Sequence, residues 1–166
     1  MGKLASLLII GLAAAPLAFG KPAVFRDSML EISEAVVLTD ESYQYFKHVR
    51  LQVLPSGQLA LVSAEPRTLA QVQELAVAVL FTEPVEVELT VSGVFSDPCV
   101  QLEPVSVTRE GNTFYVVLAE TAPDPAATCV AQVVPYEITI PLDVTGLPLG
   151  NYLVLVNGDD IDFDLE

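Results

Sequence analysis

The strongest constraint on this chain is a two-residue alternation that recurs through its second half. Val85, Val87, Leu89 and Val91 alternate with Glu86, Glu88, Thr90 and Ser92. A period of two marks a strand with one face buried and the other wet. Phe114, Val116 and Leu118 repeat it, as do Tyr136, Ile138, Ile140 and Leu142, and then Ile161, Phe163 and Leu165. Between these runs sit Glu110-Gly111-Asn112, Gly146-Leu147-Pro148 and Asn157-Gly158-Asp159. Gly and Asn tolerate positive φ, and Pro fixes φ while removing a donor, so these are turns. The spacing predicts about seven strands, near 72–81, 85–93, 102–109, 113–119, 132–141, 150–157 and 160–165. Seven short strands over residues 72–166 specify an all-β, antiparallel β-sandwich. Thr68 to Leu80 fits a helix with Leu69, Val72, Leu75, Ala76 and Val79 on one face. The β-branched residues of its second half favour a strand instead.

The first half is harder to read. Charge steps sharply between the halves. Residues 21–67 hold five basic and six acidic side chains, whereas from Thr68 onward Arg109 alone faces sixteen acids. The step coincides with Glu65-Pro66-Arg67-Thr68, which reads as a linker or boundary. Residues 21–67 form an N-terminal β extension, with a strand over Met29 to Leu38 and a short hairpin around Pro55-Ser56-Gly57. Glu41 to His48 reads as a helical turn or a loop. So short a region with no disulfide of its own is marginal alone. It is expected to pack on the sandwich or extend one of its sheets.

Ahead of it, Lys3, the apolar run Leu4 to Leu17, and the small residues Ala18 and Gly20 have the layout of a secretory signal. This run of 14 residues falls short of the ~20 that cross a bilayer. Residues 1–20 are therefore expected to be cleaved, leaving Lys21 first and no membrane span. Export, to the periplasm or outside the cell, places Cys99 and Cys129 in an oxidising compartment. As the only cysteines, they are expected to form a structural disulfide closing about 30 residues.

Leu147-Pro148-Leu149-Gly150-Asn151-Tyr152 followed by Val154 and Val156 resembles the corner before the sixth strand of immunoglobulin-like and fibronectin type III-like sandwiches. The order of Gly93, Cys99, Glu110-Gly111-Asn112, Cys129, Pro135-Tyr136-Glu137 and Val156-Asn157-Gly158 extends the resemblance to exported bacterial domains of that kind, over about residues 72–166. The resemblance implies a structural corner at Gly150 and Tyr152, with the Tyr hydroxyl bonded to upstream backbone. The cysteines differ from the immunoglobulin pattern, since they fall between strands and no Trp accompanies them.

No chemistry-bearing constellation stands out. The net charge of −15 excludes electrostatic nucleic-acid binding, because a phosphate backbone is repelled. No glycine-rich phosphate loop is present, and His48, the sole histidine, has no evident catalytic companion. No cofactor or metal is expected. Asp159 and Asp160 are weak calcium candidates, but Asp160, Asp162 and Asp164 read better as the wet face of a strand, where like charges deter edge pairing. Two features suit contact with a partner. One is the aromatic group Tyr43, Tyr45 and Phe46. The other is the loop holding Pro123, Asp124, Pro125, Ala126 and Ala127, stiffened by its prolines and tethered beside Cys129. The expected protein is an exported, acidic, non-enzymatic binding or inhibitory module. Its partner would be a protein, with a basic surface favoured. The alternative is a structural or accessory sandwich subunit of an envelope assembly.

Overall fold

The computed structural model describes residues 23–39, 42–121, 126 and 128–166. Among them every regular element is a strand. The signal-like residues 1–20 lie outside the described residues.

Strands β1 (Val24–Arg26), β2 (Met29–Thr39), β3 (Ser42–Val53) and β4 (Leu59–Arg67) form an antiparallel sheet in chain order. Asp27 and Ser28 both take positive φ, as a two-residue hairpin turn requires. Gly57, at φ 81°, closes the turn between β3 and β4. The extension is thus a four-stranded meander that contains the expected hairpin. Ser42 to His48, expected as a helical turn or loop, is part of β3. Its alternating Tyr43, Tyr45 and Lys47 find their partners on the distant sandwich, which local reading cannot see. Glu65 to Arg67 likewise belong to β4, the last strand of this sheet, which ends at Arg67.

β5 (Gln71–Leu80), β6 (Glu86–Phe95) and β9 (Val134–Leu142) make a three-stranded antiparallel sheet in the order β5-β6-β9. The ambiguous segment before Leu80 is therefore strand from Gln71 onward. β7 (Ser106–Glu110), β8 (Thr113–Val117), β10 (Gly150–Val156) and β11 (Asp159–Leu165) form the second sheet, ordered β7-β8-β10-β11. Seven strands in two sheets make the β-sandwich. One pair departs from the antiparallel rule: β8 runs parallel to β10, with Phe114 opposite Val154 and Val116 opposite Val156.

The core lies between these sheets. β6 alternates without a break, burying Val87, Leu89, Val91 and Phe95. Ile140 and Leu142 join them from β9. The facing sheet supplies Phe114, Val116, Tyr152, Val154, Val156, Phe163 and Leu165. Each such side chain contributes about 1.5–3 kcal/mol on burial. The Phe114, Tyr152 and Phe163 rings pack with centroids 5.6 to 6.2 Å apart. At the β5–β6 pairing, Gly93 faces Val72, and a Cβ there would lie 2.0 Å from the Gln71 carbonyl oxygen. Only glycine permits that approach.

The two parts are joined by hydrogen bonds. Ala70 N donates to Leu118 O at 2.9 Å, and Glu120 N donates to Thr68 O at 2.9 Å. The crossover from β4 to β5 thereby pairs with the chain continuing past β8.

Candidate interaction surface

The alternation of β3 aims Tyr43, Tyr45 and Lys47 at the sandwich. Tyr45 is buried against Val117 and Ala119, with Tyr43 and Leu69 packed around them. Burial first, and then the neighbouring Glu34 carboxylate, push the Tyr45 hydroxyl well above the usual phenol range. Burial and the nearby Tyr115 also raise Tyr43.

Beside this contact lies a cluster of charges. Glu103, just ahead of β7, forms ion pairs with Lys47 and with Arg67, the latter at 3.2 Å from Nε. Arg67 also reaches Glu65 at 3.1 Å, and His48 Nδ1 lies 3.1 Å from the same carboxylate. The hydrogen bond with His48, followed by the charges of His48 and Arg67, holds Glu65 below the usual carboxylate range. One sandwich carboxylate thus meets two cations of the N-terminal sheet.

A groove of about 550 Å³ opens where β4 leaves β3, lined by Tyr43, Gln44, Phe46, Pro66, Arg67 and Leu69 together with Tyr45. All three aromatics expected to form one patch line this groove, but from different faces of β3 and with unequal exposure. Tyr45 is 3% exposed, so a partner cannot reach most of its ring. Phe46 sits on the opposite face of β3, paired with Ala35 and Pro66, and is partly exposed.

The disulfide Cys99–Cys129 is formed, with the Cα atoms 6.0 Å apart. It ties the chain leaving β6 to the chain entering β9. Asp97 Oδ1 accepts from Cys99 N at 2.8 Å and shapes the turn. The tethered loop begins at Thr121, which pairs with Gln101 through Thr121 N to Gln101 O at 2.8 Å and Gln101 N to Thr121 Oγ1 at 3.1 Å. Ala126 is exposed. Pro123, Asp124, Pro125 and Ala127 lie outside the described residues. Burial and Asp97 raise the carboxyl of neighbouring Glu120.

Asp159 and Asp160 are exposed at the start of β11, beside a shallow groove shared with Val72 to Leu75 of β5. Among the described residues, only Asp97, Cys99 and Cys129 bring three possible ligand atoms within 4.8 Å of one another. Two of those atoms are the disulfide sulfurs. Further along β11, Asp162 and Asp164 accept from Asn151 Nδ2 at 3.0 and 3.2 Å while Phe163 and Leu165 point inward. At the corner, Gly150 takes φ 148° and Tyr152 Oη donates to Pro148 O at 2.7 Å.

Sequence reasoning missed Lys47, Arg67 and Glu103, which converge only through tertiary contact. It also missed Phe25, Leu59 and Leu61, which are exposed on the N-terminal sheet. The uncharged run Leu59 to Ala64 was the available signal for the last two.

No helix among the described residues is long and apolar enough to cross a membrane. No curated protein matches the chain, and no solved structure does. Residues 89–165, from the middle of β6 to the end of β11, match the family described as the ORF11 beta-sandwich domain.

Proposed function

We propose that this protein is an exported, non-enzymatic contact module that binds a protein partner in the periplasm or outside the cell. The observation that carries this reading is the groove at the junction of the two parts, where Phe46, Tyr43 and Arg67 border one opening. Such a mixture of aromatic and guanidinium groups is the composition enriched at protein interfaces. The groove is framed by strands, so little ordering entropy is lost on docking. Export rests on the leader-like residues 1–20 and is compatible with the disulfide. The immunoglobulin-like resemblance supports a display scaffold and assigns no chemistry. The Pro-rich loop beside Cys129 is the second contact element of this reading.

The test is a pull-down from the exported fraction with wild type, Phe46→Ala, and a variant whose residues 123–127 are replaced by a Gly/Ser linker of equal length. Loss of the same partner from either variant supports the reading. Retention of every partner with unchanged affinity by both overturns it. Because the chain carries a net charge of −15, capture of a basic partner should weaken as salt rises past ~0.15 M, where the Debye length is about 8 Å.

A further inference from the structure

The N-terminal sheet has two unlike faces. Register places Phe25 opposite Leu30, Leu30 opposite Leu51, and Leu51 opposite Leu61. Directly paired residues share a face, so these four form one apolar row across all four strands. Ile32 opposite Val49, and Val53 opposite Leu59, widen the row without adding a charge. The other face carries Arg26, Glu31, Arg50 and Gln52, with Glu31 and Arg50 ion-paired at 3.2 Å. The apolar face is continuous with the one that docks on the sandwich, since Tyr45, Lys47 and Val49 precede Leu51 on the same strand. Docking covers only that end. Beyond it Phe25 remains 63% exposed, Leu61 66% and Leu59 55%. A one-sided sheet of this kind is stable when its apolar face is covered.

We propose that a second copy of this chain covers it, the two sheets packing face to face about a two-fold axis near Leu51 and Leu61. Charge selects this occupant and this arrangement. Nearly all the net negative charge lies in the sandwich, from Thr68 onward, and copies meeting there repel. The exposed half of the sheet face is uncharged and self-complementary, as a two-fold interface requires. Arg67, where β4 meets the sandwich, is six residues from Leu61, or ~20 Å along the strand. With strands antiparallel across the axis, the two acidic sandwiches stand at opposite ends, ~40 Å apart and several Debye lengths distant at physiological salt. This proposal is independent of the groove and its partner.

Light scattering on size-exclusion chromatography, with protein expressed from its full sequence and its intact mass determined, tests it. The expected result is a mass that doubles between ~1 and ~100 µM, the range of a small interface. Dimerisation should strengthen with added salt, because the remaining repulsion is screened. Leu61→Glu should weaken the dimer at least about tenfold, since it buries an uncompensated carboxylate pair. Gln52→Glu, on the opposite face of the same sheet, should leave the dimer intact and controls for folding, with circular dichroism checking both variants. A wild-type particle that stays monomeric across that range overturns the proposal, as does a Leu61→Glu variant that is folded and still dimeric.

Discussion

Asn157 pairs its side-chain carboxamide with both backbone groups of Leu118. Its Oδ1 accepts from Leu118 N at 3.0 Å, and its Nδ2 donates to Leu118 O at 2.8 Å. The same Nδ2 donates to Ala70 O at 2.9 Å. One side chain in the β10–β11 turn thus acts as a rung of sheet, satisfying backbone where β5 begins and β8 ends. The residue sits at φ 52°, a conformation Asn tolerates better than other L residues.

Asn157→Ala should therefore cost about 3 kcal/mol, from three lost hydrogen bonds and an alanine forced to positive φ. Asn157→Gly should cost about 1 kcal/mol less, because only the bonds are lost. Urea midpoints at constant m-value measure both. Equal midpoints for wild type and Asn157→Ala would contradict the assignment.

Glu103→Gln removes the carboxylate paired with Lys47 and one of the two paired with Arg67. With these groups mostly shielded from solvent, a loss of about 1–3 kcal/mol is expected. The loss should be local. Amides of β3 near Tyr45 and of β4 near Arg67 should exchange faster with deuterium, while those of β6 keep their protection.

Tyr152→Phe leaves the Pro148 carbonyl without its buried donor. A cost of about 1–3 kcal/mol is expected, read as a lower thermal or urea midpoint.

Burial, aided by Glu120, pushes the Tyr136 hydroxyl up to about 12, and that hydroxyl donates to Gln71 O at 3.0 Å. The neutral phenol is the form the fold holds. Its contribution to stability is complete below the unfolded value near 10 and is lost as pH rises through 12. Ultraviolet titration should show Tyr136 ionising about two pH units later in the native state than in urea. Tyr136→Phe should flatten the stability decline between pH 10 and 12.

The double Cys99→Ser, Cys129→Ser variant should keep its strand content and lose on the order of 2–4 kcal/mol. Alkylation of the unreduced wild type should label neither cysteine.

The sandwich was legible because burial there follows the period of the strand. β6, β10 and β11 alternate so regularly that the residues facing the core can be read directly from the chain. Cys99 and Cys129 were legible by elimination, having no other partners. The Tyr152 corner was legible through its flanking Leu147 and Gly150. The parallel β8–β10 pair was not, since alternation carries no information on strand direction. The first half of β3, Ser42 to His48, was misread because what makes it a strand lies elsewhere: Tyr45 needs Val117 and Ala119, and Lys47 needs Glu103. Glu103 itself is one of 22 acids and has no local mark of its role. The apolar row from Phe25 to Leu61 depends on three registers at once, none of which the sequence prints.

The position of the disulfide has a covalent consequence. The chain leaves the three-stranded sheet at Phe95, builds the β7–β8 hairpin in the opposite sheet, and returns at Val134, directly opposite Phe95. Cys99 and Cys129 lie just inside those two points, so the bond closes a ring around the whole excursion. A protease that nicks the chain anywhere between them opens the ring without releasing either piece. The cut protein should migrate as one species without reductant and as two with it, with β6 and β9 still zipped together beneath the break.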